Sequence, residues 1–378
     1  MTEPRRIVYV TGSRADFGPM QATLRRIAQT PGLELQVAVT GMHLSRGHGH
    51  TVDEVEASGL TICGRIAYDL AGTGASMASG IASCLQGLTQ LLQAQRPDAV
   101  LLLGDRGEML AGAIAALHLG LPCVHIHGGE RSGTVDEPVR HAISKLASYH
   151  FVATAQARAR LERMGEEPAR IHLTGAPGLD GLHELAALPR AQCLAALQLP
   201  AAARFLLVVF HPVVQQAAQA LAQTRALIAA VTQLALPVVW LEPNADAGAG
   251  EVLRALEAHA LPPASRRRVH LPRPLYAAAM RHCEALVGNS SSGIIEAASF
   301  GTPVVDVGDR QRMREHGRNV VHAAAEAEAI AAALRQQCVH GRYGSDNPWG
   351  DGHAGERIAR LLATLPLDGR LLEKVNAY

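Results

Sequence analysis

Short runs of consecutive apolar residues alternate along this chain with longer stretches in which Ala and Leu recur at helical spacing. In the first half the runs at 7–11, 34–40, 99–103, 123–126, 151–153 and 171–174 predict strands. In the second half the runs at 205–210, 238–241, 269–271, 285–287 and 304–307 predict five more. These runs are continuous rather than alternating, the pattern of strands covered on both faces. Helical spacing over 20–29, 81–95, 109–119, 155–164, 217–234 and 294–300 supplies the layers that cover them. Regular strand–helix alternation predicts an α/β protein with parallel sheets.

The alternation pauses once. From 183 to 203 the chain is rich in Ala and Leu, is punctuated by Pro189 and Pro200, and carries no strand pattern. A first doubly wound domain is therefore expected at 1–180, a connector at 181–203 and a second domain at 204–378, the last helix packing back on the first domain. With 378 residues the chain is long for one core, which agrees with two. Doubly wound sheets bind ligands beyond the carboxyl ends of their strands, so two facing domains place a ligand in the cleft between them.

Those strand ends are where the polar signatures fall. Gly12-Ser13-Arg14-Ala15-Asp16 follows the first strand, Gly104-Asp105-Arg106-Gly107-Glu108 the run at 99–103, and His127-Gly128-Gly129-Glu130 the run at 123–126. In the second half His211-Pro212, Glu242-Pro243-Asn244-Ala245-Asp246 and Gly308-Asp309-Arg310-Gln311 do the same. The most informative segment is Gly288-Asn289-Ser290-Ser291-Ser292-Gly293, between a strand and a helix. Small residues there let backbone N–H groups approach a phosphate, and the helix N-terminus adds partial positive charge. Ser290, Ser291, Ser292 and Gly293 are phosphate candidates, with Glu296 one turn inside for a ribose diol. A plain Ser/Asn helix cap would look similar.

Arg14 and Arg310 suit pyrophosphate oxygens. Asp105, Glu108, Glu130, Asp136 and Glu137 crowd carboxylates that can hold and release protons at neutral pH, although Asp136 or Glu137 would also serve as simple helix caps. Arg140, one turn on, can orient them or contact phosphate. His211 ends an apolar strand before a proline and is an acid/base candidate; His43, after the second strand, is a weaker one. Tyr276 can stack on a base. The segment 12–16 is neither GxGxxG nor a Walker loop, which disfavours dinucleotide and ATP sites.

Composition narrows the class without naming it. Apolar residues make up 48% and charged residues 18%, and net charge is +1 with no long basic run, so nucleic acid is not the expected partner. No apolar stretch approaches membrane-span length and the polar start predicts no leader, so a cytoplasmic location is expected. Six scattered cysteines without a CxxC pair read as reduced thiols. Eighteen mostly isolated histidines give no metal motif, and neither a metal nor another cofactor is expected.

Taken in order, these motifs, together with His125-Ile126-His127, Asp136-Glu137 before Arg140-His141, and Gly350-Asp351-Gly352, resemble the hydrolysing UDP-N-acetylglucosamine 2-epimerases of sialic- and legionaminic-acid pathways. The resemblance runs over nearly the whole chain. It implies two Rossmann-like domains in the glycosyltransferase-B arrangement, a UDP-sugar substrate, elimination of UDP to a 2-acetamidoglucal, and hydration to free N-acetylmannosamine. By similarity Asp105 and Asp136 are acid/base candidates and His211 would assist the leaving group or the hydration step. Arg14, Ser290, Ser291 and Arg310 would hold phosphate, Glu296 the ribose and Tyr276 the uracil side, with Asn244 also at the site. A homodimer or higher homo-oligomer is implied too. One departure is that several relatives carry a catalytic glutamate where this chain has His127, so that His127 takes over, or Glu130 does, or the carboxylate is dispensable here. Another is Gly107 in place of a larger residue, which would make room for a 4-acetamido sugar, UDP-2,4-diacetamido-2,4,6-trideoxyglucose, as the alternative substrate. A glycosyltransferase or a non-catalytic sugar-nucleotide sensor would share the fold.

Overall fold

The computed structural model describes residues 3–378, which form two fully parallel sheets. The first contains β1 (Arg5–Thr11), β2 (Leu33–Thr40), β3 (Thr61–Ile66), β4 (Ala99–Leu103), β5 (Cys123–Ile126), β6 (Tyr149–Val152) and β7 (Ile171–Leu173), in the order 3-2-1-4-5-6-7. The second contains β8 (Leu206–Val209), β9 (Val238–Leu241), β10 (Arg266–Arg268), β11 (Ala285–Gly288), β12 (Val304–Val307) and β13 (Val320–Ala323), in the order 10-9-8-11-12-13. In each sheet the strand order reverses beside the first strand of its half, the switch point at which such sheets open a crevice.

Continuous apolar runs became doubly covered strands for a simple reason. Side chains alternate across a strand, and both faces are buried here. Ile7, Tyr9 and Leu101 pack on one face of the first sheet, while Val8, Val10, Val100 and Leu102 pack on the other. Leu207 and Val209 point to one face of the second sheet, Leu206 and Val208 to its opposite.

Three strand assignments from the sequence are corrected. The edge strands Thr61–Ile66 and Val320–Ala323 carried too weak an apolar signal, since each is only partly buried. The strand expected at 269–271 lies instead at Arg266–Arg268. Edge arginines can lay their stems along the sheet while their guanidinium groups reach polar partners. Arg267 reaches Glu242 at 3.1 Å and Arg268 reaches Gln198 at 2.8 Å. His270 and Leu271 are thereby released to line the cleft.

Two crossings tie the halves together. Helices Leu182–Leu185 and Arg190–Ala196 bury Leu182, Cys193 and Leu194 with Phe205 and Met280 against the second sheet. Near the C-terminus, helix Ala354–Thr364 buries Ile358 and Leu362 with Met20 and Leu24 against the first. Among the described residues no helix is long and apolar enough to cross a membrane.

Candidate active site

The carboxyl ends of both sheets face one cleft enclosing about 1620 Å³, counting the part open to solvent. Loops after β1, β4, β5, β8, β9, β11 and β12 all contribute to its walls. At its acidic end Asp105 follows β4, and Asp136 is the first residue of helix Asp136–Leu146. Arg140, one turn along that helix, is 1% exposed and pairs with Asp105. It also donates to the Glu130 carbonyl at 3.1 Å and the Ser132 hydroxyl at 3.2 Å.

The two aspartates are driven apart in proton affinity. Burial opposes ionisation of Asp105, but Arg140, Arg314 and Arg310 together outweigh it and hold the carboxyl below the usual range. Asp136 moves upward because of burial and the neighbouring Asp105 charge, with Arg310 at 3.3 Å only partly compensating. A pair of carboxyls so split keeps one ionised and favours a proton on the other.

Beside them His127 occupies a left-handed turn, φ 65°, and its Nδ1 meets Glu130 Oε1. Glu130 is 1% exposed and lies behind the ring instead of in the cleft. Its second oxygen is taken by Arg314 at 2.6 Å. Arg314 arrives from the loop after β12, sits over the Trp349 ring at 5.8 Å and also approaches Asp105 at 4.0 Å. The Trp349 ring in turn lies 6.1 Å from that of His127.

At the opposite end, Ser290 caps the short helix Ser291–Ile295, and Ser290, Ser291 and Ser292 face the cleft. Gly288, φ +137°, closes β11 so tightly against β8 that a Cβ would overlap the Val209 carbonyl. The Tyr276 hydroxyl meets Ser292 Oγ at 2.5 Å. Glu296 lines the cleft but shares one oxygen with Arg273 at 2.6 Å. Arg14 reaches the Val269 and Glu242 carbonyls, and Arg310 donates to the Asn289 carbonyl at 3.2 Å. The His211 backbone is clamped by reciprocal 2.8 Å bonds with the Asn289 side chain. Its Nδ1 accepts from the Asn244 N–H at 3.2 Å, which leaves the proton of the neutral ring on Nε2. Burial, then the Arg310 charge, push this imidazole down to about 3.

The cleft thus gathers Asp105, Asp136, His127, His211, Arg14, Arg140, Asn244, Tyr276, Ser290, Ser291, Ser292, Glu296 and Arg310. Other candidates stand elsewhere. His43 is fully buried, its ring nitrogens occupied by Thr11 Oγ1 at 2.9 Å and Thr51 Oγ1 at 2.8 Å, so it offers no atom to a substrate. Glu137 accepts from the Ser132 N–H at 2.8 Å, pairs with His141 at 3.4 Å and stands outside the lining of the cleft. Gly293 presses on Leu286 and Val304, where a Cβ would lie 3.1 Å from each. Gly107 likewise serves helix packing, since its Cβ would meet Ile81 at 2.5 Å, and it frees no room in the cleft. Glu108 is buried against the Tyr68 hydroxyl at 2.5 Å.

Sequence reasoning missed Arg273 and Arg314, the pair between Arg106 and Asp246 at 3.1 Å, and the pair between Glu54 and His270. Arg106 and Asp246 sat inside quoted motifs, a signal that was available. Among the described residues no group of three His, Cys, Asp or Glu gathers to hold a metal.

Comparison with known proteins gives this geometry a family. The family model described as UDP-N-acetylglucosamine 2-epimerase matches residues 25–363. A UDP-N,N'-diacetylbacillosamine 2-epimerase (hydrolyzing) of Legionella pneumophila is 44% identical over 375 residues, covering 99% of this chain and 100% of that protein. A UDP-N-acetylglucosamine 2-epimerase of Neisseria meningitidis is 33% identical over 365 residues, covering 95% of each. Among solved structures, the UDP-GlcNAc 2-epimerase from Neisseria meningitidis bound to UDP-GlcNAc superposes with a TM-score of 0.79 at 18% identity, covering 94% of this chain and 99% of that one, which shows the shared fold. With its whole-length match and its paired sheets around one acid-rich cleft, the chain belongs to the UDP-N-acetylglucosamine 2-epimerase family.

Proposed function

We propose that this enzyme is a hydrolysing 2-epimerase that converts UDP-2,4-diacetamido-2,4,6-trideoxyglucose (UDP-N,N'-diacetylbacillosamine) to UDP and the free 2-epimeric sugar, a precursor of nonulosonic acids. The observation that carries the chemistry is the gathering, at one end of the cleft, of Asp105 held ionised, Asp136 biased toward its proton, and His127 braced by Glu130. The substrate assignment is supported by the 44% identical relative named for that sugar, against 33% for the relative named for UDP-N-acetylglucosamine.

In this reading Ser290, Ser291 and the helix N-terminus receive the diphosphate with Arg310, and Arg14 guards the nucleoside side. The His211 Nε2–H donates to a phosphate oxygen as negative charge develops there. His127 Nε2 takes the C2 proton, the C1–O bond breaks with its electron pair leaving on UDP, and a glycal double bond forms between C1 and C2. Water then adds its oxygen at C1 and releases a proton, while Asp136 delivers its own to the opposite face of C2. The proton gained by His127 and the one lost by Asp136 are exchanged through solvent, so one proton leaves with UDP overall. Asp105 acts through charge: it keeps Arg140 in place and raises Asp136's hold on its proton.

Proton NMR in deuterium oxide tests this with both sugar nucleotides. Free UDP together with a 2-epimeric sugar deuterated at C2 is expected, faster from the 2,4-diacetamido substrate. Faster turnover of UDP-N-acetylglucosamine would move the substrate to the second sugar. UDP release with C2 unexchanged would reject elimination altogether.

A further inference from the structure

We propose that Arg314 is a positioning residue for proton transfer at C2: reaching across from the second sheet, it holds Glu130 as the acceptor for His127 Nδ1–H and so leaves the His127 Nε2 lone pair facing the sugar. This rests on the reading of His127 as the group that takes the C2 proton.

The geometry leaves Glu130 little other use. Its carboxyl is 1% exposed, follows β5 on the same loop as His127, and spends one oxygen on the imidazole and the other on Arg314. A buried carboxylate with no counter-cation would take up a proton itself and would then no longer be bound to accept from Nδ1–H. Arg314 prevents this, and the Trp349 ring under its guanidinium and Gln311 Oε1 at 3.1 Å fix its fork. Because β12 lies in the second sheet, the arrangement exists only while the two halves are closed on each other.

The charged groups at this end of the cleft are Glu130 on the same loop, Asp105 after β4, Asp136 and Arg140 on the helix that follows, and Arg310 and Arg314 from the second half. Arg314 is the one that reaches the second oxygen of Glu130 while its first oxygen meets His127. An arginine that merely clasped the two halves together would change substrate affinity, whereas one that holds Glu130 for His127 changes the rate at saturating substrate.

The test is kcat and KM for UDP release by the whole enzyme on its preferred UDP-sugar, in wild type and in His127→Gln, Arg314→Gln, Arg314→Lys and Glu130→Gln. In His127→Gln the rate is expected to fall by about 100-fold or more while UDP affinity is kept. In Arg314→Gln kcat is expected to fall by about 10- to 100-fold with KM changed less, with Arg314→Lys returning most of the way. In Glu130→Gln kcat should fall to a similar extent. If Arg314→Gln does not fold, the Lys and Glu130→Gln variants still read the effect. A raised KM with kcat unchanged in the Arg314 and Glu130 variants while His127→Gln is inactive overturns the role of Arg314 alone. Full turnover in His127→Gln overturns the base assignment on which it rests.

Discussion

His211 and Asp136 illustrate how far single-residue surroundings decide between roles that a sequence leaves open. Both sit beyond strand ends, and both titratable side chains could in principle give or take a proton. At His211 the Asn244 N–H occupies Nδ1 and burial keeps the ring neutral, so it is built to donate a hydrogen bond at any working pH. At Asp136 burial and the Asp105 charge raise the proton affinity, which suits the proton delivery proposed for it. The sign matters for pH dependence. A carboxyl raised in this way loses its proton as pH climbs, so in the proposed mechanism the alkaline side of the rate profile is expected to follow Asp136. Replacing Asp136 with Asn is expected to cut turnover by about 100- to 10,000-fold while leaving UDP binding within a few-fold. Calorimetric titration with UDP beside a turnover assay reads both, and wild-type-like turnover would remove Asp136 from the mechanism.

Elements were legible where burial imposed a pattern. The strands at 99–103 and 123–126, covered on both faces, stand at the boundaries read from their apolar runs. The edge strands were not legible, because an edge meets water and its sequence is free to be Arg266-Arg267-Arg268. The same logic applies to the site. The Ser290–Ser292 turn was visible because its composition is rare and local. Arg314 was not, because in sequence it is one of several charges near Met313, and its partner Glu130 is 184 residues away. His43 misled for the opposite reason, since a strand-end position can just as well turn its ring inward.

One element unread from the sequence, the C-terminal tail, rests on a buried charge cluster. Glu166 is 1% exposed and receives Lys374 at 2.5 Å, Lys145 at 2.8 Å and His150 at 2.8 Å. Burial opposes its ionisation, but His150 and the two lysines win and bring the carboxyl to about 2. A carboxyl depressed on folding contributes stability that is full above its ordinary value of 4.5 and is lost as pH falls from there toward 2. Thermal melts between pH 7 and pH 3 should therefore show a drop below pH 5 that is shallower in Glu166→Gln, whose melting point starts lower at neutral pH. Parallel curves for the two proteins would show that the cluster does not carry the tail.

At the scale of the whole molecule, charge is balanced overall yet concentrated between the halves. Net charge is +1, but Arg14, Arg106, Arg140, Arg273, Arg310 and Arg314 all line one cleft. Much of that positive charge is answered across the gap, with Arg106 facing Asp246, Arg310 facing Asp136 and Arg314 facing Glu130. The groups proposed to carry the reaction would therefore be assembled by closure, and closure must be reversible for product to leave. Glu315 offers a way to perturb closure from outside the cleft. It joins the second half of the chain to Arg160 and Thr154 of the first, while Arg160 also braces the Gly129 carbonyl at 2.7 Å. Truncating one partner of such a largely buried pair costs about 2 kcal/mol. Spent on closure, that multiplies the open population roughly thirty-fold. Glu315→Ala is thus expected to show a larger radius of gyration by small-angle scattering without ligand and to recover the wild-type value with UDP. Its KM should rise while kcat at saturation changes less, because bound substrate restores the closed form. Equal losses in kcat and no change in radius would place the effect of Glu315 on local folding of the 308–318 loop instead of on closure.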